Sequence, residues 1–457
     1  MECARRPPRY RPFVDEHPRL PIDMKHTLHT RRQFLRTSLL GGAVSWTIPA
    51  FLERTFFTLD AMAADSAIQT ATGKDSPILI VLQLAGGNDG LNTLVPLADD
   101  AYFRARPTIA IPGGKTLRLN EHFGLNPKLE GLKSLYDEGH LGIVQGVGYP
   151  NPNRSHFRST EIWQTASDSS VTEKYGWMGR YFDSCCKGED PSIGVSIGSQ
   201  TPQAFSAPEP RGISFSRPEQ FRFDLKSASD RNAADEFFRS VNDFDSGQMD
   251  GGSIGMLAGH ADASGDTLDF LQRTSLDAVM SSDKVAEIIK RTRPGASYPS
   301  NRLADALNLV ARLIAGGMAT RVYYVSQGGY DTHSNQVGAH ERLMAELDSS
   351  LSAFCADLKA QGNFDRVLLM SFSEFGRRVQ ENASGGTDHG AAAPLFVVGG
   401  KVKPGIFGVA PSLTQLHDGD MIHGVDFRSV YATVLSQWLK APVEPVLKRN
   451  FPLLPFV

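Results

Sequence analysis

The chain repeats one pattern, in which a short, strongly apolar run leads into a glycine-rich segment with polar side chains. Ile78–Leu84 is almost continuously apolar and leads into Gly86–Thr93. Val322–Val325 leads into Gly328–His333 in the same way. Near-continuous apolar runs are typical of strands that are buried on both faces of a parallel sheet. The pattern therefore predicts an α/β fold with its polar turns at the carboxyl edge of such a sheet.

Segments with helical spacing separate the apolar runs and favour the same fold. In Asn126–Glu138 the side chains of Leu129, Leu132 and Leu135 recur on one side, and Leu141–Val147 follows as the next apolar run. Alternation of strand and helix predicts parallel strands with helices packed on the sheet. We expect a three-layer α/β/α sandwich with a mostly parallel sheet, a helix over about Gln336–Lys359, and strands at 78–84, 141–147, 321–326, 366–371 and 394–398.

The length of 457 residues, with 41% hydrophobic residues, is enough for one large α/β domain or two ordinary ones. We predict a single domain over residues 64–457, with an insertion or cap at about 199–300. The segment 199–255 within it is rich in Pro, Ser, Asp and Arg and has weak periodicity. The net charge of −3 gives no indication of a nucleic-acid partner. The sequence has no apolar run of eighteen residues, so we predict no membrane span in the mature chain.

The N-terminal 63 residues have the features of a targeting leader. Thr30–Arg36 contains the pair Arg31-Arg32 in a pattern typical of twin-arginine signals. An apolar stretch, Leu39–Leu52, follows, and Ala61-Met62-Ala63 offers a small-residue cleavage site. We therefore predict export by the twin-arginine machinery to the periplasm or the cell surface.

Replacing both Arg31 and Arg32 by lysine is expected to retain the precursor in the cytoplasm, because the export receptor reads the arginine pair. Fractionation of cells that express the full chain would measure this. Normal export of the double-lysine form would contradict the prediction.

Carboxylates and imidazoles lie after the predicted strands, where a parallel sheet brings chain segments together. Oxygen and nitrogen donors of this kind suit zinc, manganese or iron. We expect one or two divalent ions, zinc or manganese, and we expect Asp331, His333 and His389 to place donor atoms within about 5 Å of a common point. The candidate ligands are Asp89, Asp331, His333, Glu374, Asp388 and His389.

A proline-rich segment before a predicted helix provides a candidate site for an anionic group. Ser155 is placed at the start of that helix, where backbone amides and the helix dipole favour an anion. Arg154 and Arg158 flank it, and His156 could act as general acid or base. Ser155 is accordingly a candidate nucleophile. The alternative is that Ser155 simply caps the helix.

Three cysteines remain outside the leader, Cys185, Cys186 and Cys355. They fit small buried thiols, and a bridge from one of the adjacent pair to Cys355 is the alternative. The sequence has no Cys-x-x-Cys motif that would indicate a thiolate metal site.

Taken together with the leader, the motifs resemble one exported family, the domain-of-unknown-function family numbered 1501. The resemblance covers essentially the whole predicted mature chain. It rests on Gly86–Thr93, Arg154–Phe157, Gly329–His333, Ser373–Arg377, Gly386–Gly390 and Asp426–Tyr431, in this order. That family is similar to the alkaline phosphatase and sulfatase superfamily.

This resemblance implies an exported metal-dependent hydrolase of phosphate or sulfate esters. Its substrate would be a small or polymer-borne anionic ester. It implies that Ser155 is the nucleophile, that Asp331, His333 and His389 hold one metal ion, and that Asp89 and Glu374 contribute further ligands.

The sequence also departs from the superfamily pattern. Glu374-Phe375 stands where the superfamily has an Asp-His pair for the second metal ion, so one imidazole is missing, although Asp388 could compensate. Asp331 and His333 are closer in sequence than the usual ligands. The chain has no Cys-x-Pro-x-Arg sequence, which argues against a formylglycine sulfatase. The alternative function is a non-catalytic exported binding or surface-assembly protein on a degenerate hydrolase scaffold.

Overall fold

The computed structural model describes residues 76–186, 191–208, 212–217 and 281–457. The predicted leader, 1–63, and most of the predicted insertion at 199–300 lie outside the described residues. In the described part of the chain, no helix is both long and apolar enough to cross a membrane.

A nine-stranded sheet forms the centre of the described structure, in the order β13-β5-β12-β9-β1-β8-β6-β7, with β16 also paired to β5. The strands of the chain are β1 (Ile78–Ala85), β2 (Leu94–Pro96), β3 (Leu117–Arg118), β4 (Phe123–Leu125), β5 (Leu141–Gly148), β6 (Gly194–Ile197), β7 (Ile213–Phe215), β8 (Val322–Gly328), β9 (Val367–Phe372), β10 (Arg377–Glu381), β11 (Thr387–His389), β12 (Ala393–Gly399), β13 (Gly405–Phe407), β14 (Leu416–His417), β15 (Asp420–Met421) and β16 (Val425–Asp426).

All five strands predicted from apolar runs are present, and the sheet is mostly parallel, as expected. β1 pairs in parallel with β8 on one side, with Leu79 opposite Val322, and with β9 on the other, with Ile78 opposite Val367. β12 differs because it runs antiparallel to both β5 and β9. The chain enters β12 from the carboxyl edge of the sheet without a crossover helix, so this strand must run in the opposite direction.

Alternate residues of β1 pack against helices on opposite faces of the sheet. Ile80 and Leu82 belong to a core cluster with leucines of α2, α6 and α7, whereas Leu79 and Val81 belong to one with α3, α4 and α8. This is the period of two that a strand requires, and it confirms the predicted three-layer arrangement. The helices are α1 (Asp100–Ala105), α2 (Glu130–Asp137), α3 (His156–Thr165), α4 (Trp177–Cys185), α5 (281–291), α6 (Arg302–Ala315), α7 (Gln336–Ala360), α8 (Phe427–Thr433) and α9 (Val443–Leu447). Cys185, Cys186 and Cys355 are buried free thiols.

The ends of β1, β5, β8 and β9 bring four polar loops to one edge of the sheet, and two glycines allow these loops to touch. A Cβ atom on Gly86, whose φ is +122°, would lie 2.5 Å from the backbone nitrogen of Asp331. A Cβ atom on Gly386 would lie 2.3 Å from the backbone carbon of His333. Only glycine permits both contacts, so the loops that carry the polar residues are held against one another.

Candidate active site

Three imidazoles converge on the carboxylate of Asp331 at this edge. Nε2 of His333 and Nε2 of His389 each lie 3.0 Å from Asp331 Oδ1, and the two nitrogens are 3.0 Å apart. Nε2 of His156 lies 3.5 Å from Asp331 Oδ2. One ligand atom from each of His156, Asp331 and His389 falls within 4.8 Å of the others. We refer to His156, Asp331, His333 and His389 as the His/Asp cluster.

Each imidazole of the cluster is oriented by an oxygen on its other nitrogen. Nδ1 of His389 donates to the carbonyl oxygen of Arg154 at 2.9 Å, and Nδ1 of His156 faces Oε1 of Glu374 at 2.8 Å. Nδ1 of His333 lies 3.5 Å from Oδ1 of Asp388. The carbonyl oxygen of Arg154 can only accept, so Nδ1 of His389 carries a proton. Each ring that keeps its proton on Nδ1 has a lone pair on Nε2 that is available to a metal ion beside Asp331.

This arrangement fits a divalent metal ion. The Nε2 atoms of His333 and His389 are 3.0 Å apart beside a carboxylate oxygen, and their lone pairs repel one another unless a proton or a metal ion lies between them. Imidazole nitrogen with carboxylate oxygen is a donor set suited to zinc and related ions. Carbonyl and carboxylate partners behind ligating imidazoles are the usual support of metal sites. Asp331, His333 and His389 thus meet the predicted common point, and Asp388 lies behind His333.

Arg377 provides a fixed positive charge beside the cluster. Its side chain is fully buried and donates to four backbone carbonyl oxygens, those of Gly86, Gly87, Tyr330 and Thr387. Its Nη2 also donates to Asp331 Oδ1 at 2.8 Å. Burial raises the pKa of Asp331, but the hydrogen bond and the positive charge of Arg377 contribute to lowering this pKa to about 2. Asp331 is therefore ionised near neutral pH.

Glu374 lies behind His156 rather than among the converging atoms of the cluster. Its Oε1 accepts from the backbone amide of Gly86 at 2.8 Å as well as facing His156. Its carbonyl oxygen accepts from the hydroxyl of Ser159 and from the indole of Trp163. These contacts fasten α3 to the end of β9. Oε1 of Glu374 is thus a partner of His156, whereas its buried Oε2 has no hydrogen-bond partner among the described residues, and metal binding by Glu374 stays a prediction.

Asp89 is not part of the cluster, which corrects the prediction that it binds metal. Both of its oxygens accept from Nη1 of Arg106, at 2.9 and 2.7 Å, and Gln336 also donates to it. Both side chains of this ion pair are fully buried. Burial raises the pKa of Asp89, but Arg106 outweighs burial and holds this pKa below its ordinary value. The carboxylate is already neutralised by protein groups.

Ser155 is the N-cap residue of α3, for which the sequence offered Asn153 or Ser155, and its side chain makes no capping hydrogen bond. It is exposed, and its backbone amide donates to Oδ1 of Asn153 at 2.8 Å. The residues on either side, Arg154 and His156, both contact the cluster, the first through its carbonyl oxygen and the second through its ring. Ser155 thus lies at a helix start, between two residues that contact Asp331 or His389.

Two of the expected catalytic roles are not supported. Arg158 donates to the carbonyl oxygens of Ser169 and Val171 at 3.0 and 2.6 Å and pairs with Glu161. It is two positions after His156, roughly 200° around the helix, so the two side chains diverge. His156 has Nδ1 2.8 Å from Glu374 Oε1 and Nε2 3.5 Å from Asp331 Oδ2, so that if Nε2 binds a metal ion neither nitrogen serves as general acid or base.

Phe375 forms an apolar wall of the cluster. Its ring centroid is 4.9 Å from that of His156 and 4.4 Å from that of His389. The contact of His156, on α3, with Asp331 was not predicted from the sequence. Its position directly after Ser155 was interpreted there as acid–base chemistry.

The structure resembles several solved structures at low sequence identity. A protein of the alkaline phosphatase superfamily from Vibrio parahaemolyticus is 10% identical, with 88% of this chain and 78% of that chain covered and a TM-score of 0.38. The lipoteichoic acid synthase LtaP from Listeria monocytogenes is 10% identical, with 78% and 76% covered and a TM-score of 0.37. The PsFucS1 sulfatase from Pseudoalteromonas sp. is 10% identical, with 77% and 71% covered and a TM-score of 0.32. Likeness at this level assigns no activity.

No curated protein matches the sequence. A family described as "Protein of unknown function (DUF1501)" matches residues 77–439, which is most of the chain. This agrees with the family resemblance found in the sequence motifs. The chain therefore belongs to the DUF1501 family.

Proposed function

We propose that this protein is an exported, metal-dependent hydrolase of phosphate or sulfate esters. The observation that carries the proposal is the convergence of three oriented imidazoles on Asp331 beside the helix start at Ser155. Such a site combines a place for a cation with a place for an anion. The substrate class is a small or polymer-borne anionic ester. The export part rests on Arg31-Arg32, which lies outside the described residues.

The His/Asp cluster would hold the divalent ion, zinc or manganese, which when bound polarises an ester oxygen as a Lewis acid. The chain itself supplies the orientation of the ligands. The Arg154 carbonyl, Glu374 and Asp388 fix the three rings, so that the lone pairs remain directed to one place. Phe375 keeps water from one side of the rings.

Ser155 would be the nucleophile on the ester. The first amides of a helix have no intrahelical partner and favour negative charge, so the start of α3 can stabilise the transferring group. Ser155 has an exposed hydroxyl that is not used in capping. The proton of the hydroxyl would have to leave to solvent or to the departing oxygen, because both nitrogens of His156 are engaged.

The loss of two expected catalytic groups favours a second candidate function. Arg158 contacts a neighbouring loop and His156 is held in the cluster, so fewer side chains are available for catalysis than the sequence indicated. A non-catalytic exported binding or surface-assembly protein on a degenerate hydrolase scaffold would have such a set.

Metal removal separates the two candidates. We expect protein purified without chelator to contain transition metal in stoichiometric amount and to hydrolyse p-nitrophenyl phosphate or p-nitrophenyl sulfate. Dialysis against a chelator should lower the rate at least about tenfold, and zinc or manganese should restore it. Metal-free protein without hydrolysis of either ester would contradict the proposal and favour the binding protein.

A further inference from the structure

We infer that the His/Asp cluster binds one divalent ion, not two, and that the guanidinium of Arg377 is the fixed cation that takes the place of a second ion. The inference rests on the metal-binding part of the proposed function. It concerns the number of ions and the residues that hold them, and it does not depend on which ester is cleaved.

The donor atoms of the cluster surround one place. Nε2 of His333 and of His389 share the same oxygen, Asp331 Oδ1, at 3.0 Å, while Nε2 of His156 faces the other oxygen of that carboxylate at 3.5 Å. A single carboxylate thus connects all three rings. The rings do not divide into two separate ligand groups, because ligand atoms of His156, Asp331 and His389 fall within 4.8 Å of one another and His389 also lies 3.0 Å from His333.

Arg377 contacts the same oxygen of Asp331 that His333 and His389 face. Its Nη2 donates to Asp331 Oδ1 at 2.8 Å, and its Nη1 lies 3.4 Å from Nε2 of His333. Backbone carbonyls of the β1, β8 and β10–β11 loops hold the guanidinium, so it cannot move aside without breaking those contacts. A second divalent ion on the carboxylate of Asp331 would be repelled strongly by this buried guanidinium.

The three other carboxylates that were predicted as ligands already have partners among the described residues. Asp89 is neutralised by Arg106 and fully buried. Glu374 Oε1 accepts from Gly86 and faces His156, while its buried Oε2 has no hydrogen-bond partner among the described residues. Asp388 Oδ1 accepts from Asn382 and faces His333. The oxygens that remain, one on Glu374 and one on Asp388, are fewer than the ligands that a second ion needs.

The charges of the centre agree with one ion. Asp331 contacts the three imidazoles directly, Glu374 faces His156, and Asp388 faces His333. One divalent ion and the guanidinium of Arg377 balance these three carboxylates, whereas two ions would leave a net positive centre. A balanced centre has the lower electrostatic cost in a partly buried site.

Metal stoichiometry tests the inference on the resting protein, without an activity assay. The full chain is stripped with chelator, titrated with cobalt(II) while the visible absorption is followed, and analysed for retained metal after gel filtration. We expect the absorption to saturate at one equivalent and one ion to be retained per chain. Two retained ions per chain overturn the inference and leave the metal-hydrolase proposal standing. No retained ion overturns both.

Two histidine variants test which residues hold the ion. His156→Gln and His333→Gln each remove one Nε2 donor, and each is expected to weaken cobalt(II) binding at least about tenfold. His417→Gln, at a histidine with a side chain 77% exposed, is the control and should bind as the wild type does. The side chain of His333 is 43% exposed, so its replacement tests the site even if the His156 variant fails to fold. Unchanged affinity in a folded variant overturns the four-residue ligand set.

Discussion

Ser155→Ala is expected to lower the rate of ester hydrolysis by about 10³-fold or more while the metal content stays that of the wild type. Removal of a nucleophile abolishes the covalent step, whereas Ser155 is not itself a member of the His/Asp cluster. Since the hydroxyl makes no capping hydrogen bond, we expect the free energy of unfolding to change by less than about 0.5 kcal/mol. Steady-state kinetics, metal analysis and urea denaturation on the same preparation measure all three quantities.

The control is Ser170→Ala, because Ser170 is an exposed serine in the loop that follows α3. It should match the wild type in rate and stability. If Ser155 only capped the helix, its replacement would instead cost about 1 kcal/mol of stability and leave the rate unchanged. That result would remove Ser155 from the mechanism without removing the metal site.

The strands and their edge could be predicted from the sequence because burial on both faces leaves an unmistakable apolar run. Val367–Met370 lies within β9, and the Glu374 that follows it lies at the edge where it was expected. The direction of β12 could not be predicted, since the apolar pattern of a strand does not depend on whether its neighbours run parallel or antiparallel. Its antiparallel pairing depends on how the chain arrives there from β11.

The sequence predicted where the candidate site lies better than it predicted the chemical role of each residue in it. Asp331, His333 and His389 converge because each follows a strand or leads into one at the same edge. His156 was correctly placed near them, but its role depends on the direction of two ring nitrogens, which depends on Glu374, 218 positions away in the sequence. No local pattern records a contact of that kind.

The partner of Asp89 also could not be predicted from the local sequence. Asp89 follows the first buried strand, where a metal ligand is expected, and the turn that contains it is rich in polar side chains, as metal-binding turns are. The residue that neutralises it, Arg106, follows the short helix α1 and has no neighbouring motif. A buried carboxylate serves either a metal ion or a guanidinium, and only the tertiary structure decides between them.

Arg106→Met is expected to lower the free energy of unfolding by about 3–5 kcal/mol, the largest stability effect that we predict. Both side chains of the Arg106–Asp89 pair are fully buried, so removal of the guanidinium leaves a buried carboxylate without its counter-charge. The carbonyl oxygens of Val379 and Arg378 and the amide oxygen of Asn92 lose a donor as well. Urea denaturation would measure the loss.

A second variant distinguishes the uncompensated charge from the loss of packing. In Arg106→Met combined with Asp89→Leu no charge is left buried, so this double variant should be more stable than Arg106→Met alone. Arg118→Met, at an exposed arginine, should have a free energy of unfolding within about 0.5 kcal/mol of that of the wild type.

The ion pair is also close in sequence to the metal site, because Asp89 directly follows the turn whose carbonyls hold Arg377. The single variant should therefore also bind metal more weakly, and full metal affinity in it would show that the ion pair supports the fold independently of the cluster.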